Sequence, residues 1–449
     1  MKKYLSLIIV ALLCVMMAVA ASAKDVYLTD GGNGDGTEAA PFGKMDDAIE
    51  AIAEEGGTVH IVGTYTCPDQ YYEPEHAGNI VIADGTYIFD NGSYNRYFLS
   101  GPGSTTFKNV TFEYGAGNQY RGNSCLFIAQ FNELIFDEGI VFPETATILD
   151  KEGNDKVEAG KCYVLGGYQH NSIYPGYEDA KFKSIDELVA TVGLPTDRDS
   201  HITAKSGRFH LIAGFCRGAT TADLHFSGKS YITITGDAVI TSGVYGGSVN
   251  GKSSFAGSEI TITGGDVAKV YTTGHDNEVE PATGDVVINV SGGVIGTINM
   301  FNVLGKTIVN CNGGGIANAE YVMAETLVAP EVDPEATLAE GEEPVEIVMH
   351  PATYLVEAID GTTKLVQSGE GRVTQMLVDK FDEFEGVVFD PLAAATQNKP
   401  AVTTAAVVTT GVVDGGAGGS FPIWVVVAIV AVLVVVAVVV TIVVKKKKN

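Results

Sequence analysis

A right-handed parallel β-helix is the fold this sequence predicts, all-β in class, with an N-terminal capping helix and one C-terminal transmembrane helix. Three observations predict it. Short alternating strands closed by glycine recur at near-constant spacing between residues 200 and 320. Glycine is abundant, 54 of 449 residues, without the Gly-X-Y period of collagen. Two long apolar stretches occupy the two ends of the chain.

The repeat carries the most weight. Ile202 to Gly207, Ile232 to Gly236, Ile260 to Gly264, Val287 to Gly292 and Ile308 to Gly313 are each an alternating strand ended by small polar residues and glycine. Their closing glycines, Gly207, Gly236, Gly264, Gly292 and Gly313, are spaced by 29, 28, 28 and 21 residues. A second short strand follows at Ala238 to Tyr245, Asp266 to Tyr271 and Val294 to Ile298. Such a unit cannot bury its own apolar face, whereas stacked copies bury it together. A β-sandwich also has alternating strands, but it requires no fixed period. Less regular segments of the same kind precede the repeat: Asn79 to Ile82, Gly85 to Phe89, Gly103 to Phe112, Leu126 to Phe136 and Lys161 to Gly167. Residues 142–160 and 168–200 read as loops or insertions, the second holding a short helix over Ile185 to Val192.

Ahead of the strands, Asp25 to Tyr27 reads as a short strand and residues 30–36 as a glycine-rich turn. A helix follows with Phe42, Met45, Ile49 and Ile52 on one face and Asp46, Asp47, Glu50 and Glu54 on the other. Gly56-Gly57 ends it. The segment 24–57 is therefore a strand and capping helix, and 58–320 the stack. An acidic linker covers 321–345, its residues from 329 onward carrying no base. A small accessory or cap region covers 346–390, with a helix expected from Val373 to Phe384. Residues 391–422, rich in Ala, Thr, Val and Gly, read as a flexible stalk.

The ends predict the address. Residues 1–23 have Lys2-Lys3, an apolar run from Leu5 to Val19, and Ala21-Ser22-Ala23 for cleavage, the pattern of a secretory signal. Ile423 to Val444 is uncharged, about 33 Å long as a helix, against a bilayer core of about 30 Å. Trp424 borders it, and Lys445 to Lys448 in the tail 445–449 favour the cytoplasmic side. The expected protein is single-pass, with its N-terminal part outside the cell. Its membrane partner is met through the C-terminal helix.

Charge narrows the partners further. The six lysines at the ends hide a middle, residues 24–422, with 22 basic and 55 acidic side chains. That surface repels phosphate backbones, so nucleic acid is excluded. An exported location permits disulfides. Yet Cys67, Cys125, Cys162, Cys216 and Cys311 are odd in number, widely spaced and without a C-x-x-C, so small buried core residues are expected.

Pro41-Phe42-Gly43-Lys44-Met45, Ala48-Ile49 and Gly56-Gly57-Thr58-Val59 resemble the N-terminal cap of pectate-lyase-like β-helix proteins on bacterial surfaces. The Ile-Thr-Ile-Thr-Gly-Gly and Val-Tyr repeats are similar to the body of that superfamily. The resemblance spans about residues 25–316 and implies architecture rather than chemistry.

No catalytic, cofactor or metal residues are assigned from the sequence. Gly274-His275-Asp276-Asn277-Glu278, with Asp266, is the enzymatic suspect. Polygalacturonase-type hydrolases place Asp residues around Gly-His-Gly, but here Asp276 replaces the second glycine and no Arg-X-Lys follows. Between residues 260 and 320 the only bases are Lys269 and Lys306, too few for a lyase set. Ca²⁺ is the one candidate cofactor, at Asp30, Asn33 and Asp35, though the closing bidentate Glu is missing. His170, His201, His210 and His225 lack ligand spacing. Tyr65, Tyr71, Tyr72, Tyr87, Tyr94 and Tyr97 either stack on sugar rings or pack as ladders inside the coil. The functional expectation is a non-catalytic surface rod for adhesion or glycan binding, on polysaccharide or a neighbouring cell. The alternative is an anchored polysaccharide lyase or glycoside hydrolase.

Overall fold

A computed structural model describes residues 24–67, 71–72, 78–90, 96–115, 124–149, 154–170, 174, 176–177, 180–218, 224–250, 253–274, 281–300, 303–321, 324–328, 352–359, 362–369, 373–374, 378 and 381–389. The expected signal segment 1–23, the expected stalk 391–422 and the expected membrane span 423–444 lie outside them. Among the described residues no helix is long and apolar enough to cross a membrane. The chain divides after Ala394 into two compact units, and every described residue belongs to the first.

The fold is all-β and mostly parallel, with long strand stacks that fit a β-helix solenoid. Its first sheet pairs Lys24–Leu28, Gly57–Ile61, Ile80–Ala83, Thr105–Lys108, Glu133–Phe136, Ser200–Ala204 and Ser230–Ile234 in parallel register. The stack continues through the leading halves of Ser258–Tyr271, Val286–Met300 and Thr307–Tyr321. A second stack pairs Arg96–Leu99, Ser124–Ile128, Lys161–Leu165, Arg208–Ala213 and Val239–Tyr245 with the trailing halves of those long strands. Thr64–Cys67, Thr86–Phe89 and Thr111–Tyr114 make a third, shorter sheet.

Alternation explains the core. Along the first sheet Val26, Val59, Ile82, Phe107, Phe136, Ala204, Ile234, Ile262, Val290 and Cys311 form one inward ladder, every member buried. Each strand lends alternate side chains to it while its neighbours face out. The bend between the two halves of each long strand uses a left-handed glycine: Gly265, Gly293 and Gly314, at φ of 81°, 74° and 73°. The pattern pointed to Gly264, Gly292 and Gly313, one residue earlier. A tandem glycine pair does not reveal which member takes the positive φ.

The helix Met45–Glu50 buries Met45, Ala48 and Ile49 over the first strands. Ile185–Val192 is also a helix, capped by Ser184 Oγ, which accepts the Glu187 N–H at 3.3 Å, and ended by Gly193 at φ 77°. It packs Ile185 and Leu188 onto a lateral core with Tyr168, Phe215, Phe226 and Phe255. Two segments refine the sequence reading. Within 142–160, read as a loop or insertion, Thr145–Leu149 and Asp155–Ala159 pair antiparallel in a sheet of their own. Within 373–384, where a helix was expected, the described residues hold the strand Val373–Thr374, a helical Val378 and the start of the strand Glu383–Glu385. The Val/Thr and Phe/Glu alternation there suits pairing with neighbouring strands, and Glu383–Glu385 pairs with Lys364–Val366. At the end of the stack Ala352–Val356 runs antiparallel to Thr307–Cys311, followed by the antiparallel strand Thr362–Gly369.

Candidate functional site

The residues singled out from sequence scatter when folded. Asp266 is exposed at the start of a trailing half-strand, while His275 to Glu278 lie outside the described residues. The Asp30 carboxylate accepts the Thr66 N–H at 2.6 Å and the Thr66 hydroxyl at 2.8 Å. Asp35 accepts the Thr37 N–H and hydroxyl, which hold its carboxyl below the usual carboxylate range. Both carboxylates thus tie turns together. Among the described residues no three His, Cys, Asp or Glu side chains gather as metal ligands would. Tyr65 and Tyr87 are buried, their rings edge-on at 5.5 Å, in the ladder arrangement. Tyr94 and the side chains of Tyr71, Tyr72 and Tyr97 lie outside the described residues.

Two outward faces remain. The first sheet presents a column of Thr203, Thr233, Thr261, Asn289, Asn310 and Thr353. Its amides chain together: Thr353 donates to Asn310 at 3.0 Å, Asn310 to Asn289 at 2.9 Å, and Asn289 to Glu259 at 3.1 Å. Beside that column His201 stacks on Tyr231 at 4.8 Å, with ring planes 5° apart. Several charges on this side are paired. His60 sits between Asp84 at 2.8 Å and Asp25 at 3.6 Å, Lys205 meets Asp137 at 2.8 Å, and Lys108 meets Glu138 at 2.9 Å.

The outer face of the second stack differs. Register puts Tyr163 beside Leu211 on the neighbouring strand, and Leu211 beside Gly243 on the next. The Arg217 guanidinium lies 4.5 Å above the Tyr163 ring, a cation–π distance. His210 meets the same ring edge-on at 5.1 Å. Burial, then the positive charges of Lys161 and Arg217, push the His210 imidazole down to about 4. Burial also raises the Tyr163 phenol, an effect that Arg217 partly offsets. Among the described residues neither Lys161 nor Arg217 forms an ion pair, unlike Lys108, Lys205 and Lys364. The His170 ring hydrogen-bonds the Arg217 backbone, and its buried Nδ1 has no hydrogen-bond partner among the described residues. Two coils on, Tyr245 and Tyr271 stack face to face at 4.5 Å.

Two cations beside the His210 imidazole, neither in an ion pair among the described residues, suit an anionic group. Sequence reasoning singled out His170 and His210 but missed Lys161, Tyr163 and Arg217. The available signal was the recurring glycine after each second strand, Gly166, Gly214 and Gly246, which aligns these strands coil on coil. Aligned, Tyr163, Leu211 and Gly243 fall into one outward column. No protein-family model, no curated protein and no solved structure matches this chain.

Proposed function

We propose that this protein is an exported, membrane-anchored β-helix of pectate-lyase-like architecture that binds acidic glycan at the cell surface without cleaving it. The observation that supports the binding is that Lys161 and Arg217, both beside His210, form no ion pair among the described residues. In a chain with about twice as many acids as bases, two cations close to one histidine with no carboxylate partner among the described residues suit an external anion. Tyr163 is itself buried and holds Arg217 and His210 in place, while the partly exposed Arg217 and Lys161 offer donors for a sugar's carboxylate or sulfate. Export and anchoring are supported by the compositions of residues 1–23 and 423–448.

The test presents the full chain in detergent to acidic and neutral polysaccharides, with and without Ca²⁺. Retention on an acidic glycan, weakened by added salt and by Arg217→Ala, with no new reducing ends, supports the proposal. Release of reducing ends or unsaturated sugars refutes it in favour of the anchored lyase or hydrolase.

A further inference from the structure

The five cysteines among the described residues include one pair matched in strand register. Cys125 lies on Ser124–Ile128 and Cys162 on Lys161–Leu165, directly opposite each other in parallel register. Both side chains are buried, at 0% and 1% exposure. Neighbouring strands run about 4.8 Å apart, inside the span of roughly 4.4–6.8 Å that a disulfide bridges between Cα atoms. The side chains also meet: the Cys162 thiol donates toward the Cys125 sulfur, and the Cys125 thiol donates to the Lys161 carbonyl at 3.9 Å. The Tyr114 phenol donates to that same carbonyl at 3.2 Å and closes the site from the third sheet.

Among the described strands no other cysteine stands opposite a cysteine in register. Cys67 stands opposite Phe89, and Cys311 between Val290 and Ala352. Cys216 belongs to the lateral core, where its sulfur accepts the Tyr168 N–H at 3.2 Å.

We infer that Cys125 and Cys162 are an oxidisable pair, joined by a disulfide between adjacent coils when the chain folds in the presence of a disulfide oxidant. One thiolate attacks the oxidant's disulfide, forming a mixed disulfide and releasing one oxidant thiol. The second thiolate then attacks the protein sulfur, making the Cys125–Cys162 bond and expelling the second oxidant thiol. Two protein thiols are oxidised and one external disulfide, glutathione disulfide or an enzyme of that chemistry, is reduced to two thiols. Burial pushes the Cys162 thiol well up, so the folded pair holds little thiolate and admits no oxidant. The bond therefore forms while the coils are being laid down, and burial then shields it from reductants. It closes the chain across the hairpin Thr145–Ala159, where the path leaves the stack. Its occurrence in the cell rests on the exported location proposed above; the chemistry does not.

The test refolds the reduced full chain in detergent, with and without glutathione disulfide, then alkylates it in denaturant and maps the peptides. With the oxidant, the peptides of Cys125 and Cys162 are recovered linked, two hydrogens lighter, and Cys67, Cys216 and Cys311 are alkylated. Full alkylation of all five, or Cys125 linked to another residue, overturns the inference. Cys125→Ala abolishes the linked peptide and Cys216→Ala leaves it in place. The map of the unaltered chain decides the question even if a variant fails to fold. A chain harvested from its own cells under alkylation tests the location separately. Linked peptides there support both readings; free thiols there, with a linked refolded chain, support the pairing and refute export.

Discussion

The two halves of the stack solve the same packing problem with different side chains. From Ile80 to Phe209 the interior is aromatic: the Phe127 ring has Phe89, Phe98, Phe107, Phe112, Phe136 and Phe142 within 6.0 Å between centroids. From Ile232 to Val309 it is aliphatic, with Ile232, Ile260 and Ile288 in one column and Ile234, Ile262 and Val290 in the next. Aliphatic residues of equal size stack on identical coils, so the left-handed glycines Gly236, Gly265 and Gly293 fall 29 and 28 residues apart. Phenylalanines fill the interior by edge-to-face and offset contacts that cross between sheets. Such coils need not be alike, and this half accommodates the hairpin Thr145–Ala159 and the helix Ile185–Val192. Regular spacing is thus a property of the ladder's chemistry rather than of the fold.

Substitutions should expose that difference. Phe127→Ala is expected to cost about 4 kcal/mol, because six rings lose a shared neighbour and cannot all collapse inward. Denaturant unfolding measures it. Ile262→Ala is expected to cost about 3 kcal/mol and Ile262→Val only about 1 kcal/mol. A Val-for-Ile exchange as costly as the alanine would deny that the aliphatic ladder is locally packed. Gly293→Ala should cost about 2 kcal/mol, since a side chain is strained at φ 74° and its Cβ would press on the Gly264 carbonyl. Gly292→Ala lacks the conformational strain, and comparing the two by thermal unfolding separates strain from crowding. Asn310→Ala removes one link of the amide chain, an effect of about 1 kcal/mol.

The smallest effect is expected at His210, where solvent screens a half-buried group. Its folded pKa, about 4, lies below the ordinary 6.5, so the unfolded chain takes up the proton first as pH falls. Stability is then undiminished above pH 6.5, declines between 6.5 and 4, and levels off below. His210→Asn should flatten that decline in a pH series of unfolding curves.

The same contrast explains what could be read before folding. Ile232, Ile260 and Ile288 announce their own column because equal residues recur at equal intervals. The aromatic coils announce little, since Phe107 and Phe136 share a column with Val59 and Ala204 at irregular spacing. Tyr163, His210 and Arg217 were illegible as a group for a related reason. They come from two coils and the turn after the second, and register alone brings them to one face. The five cysteines looked like an odd, widely spaced set until the register of Cys125 and Cys162 separated a pair from the rest.

Parallel stacking of successive coils underlies the ladders, the basic–aromatic face and the cysteine pair, and a distance measurement tests it. Thr58, Thr106 and Thr261 occupy one outward column, with six strand spacings between Thr58 and Thr261 and four between Thr106 and Thr261. Spin labels on Thr58→Cys/Thr261→Cys and Thr106→Cys/Thr261→Cys should be separated by about 29 Å and about 19 Å, at about 4.8 Å per strand. Equal separations in the two pairs, or a shorter one for Thr58–Thr261, would contradict the stack.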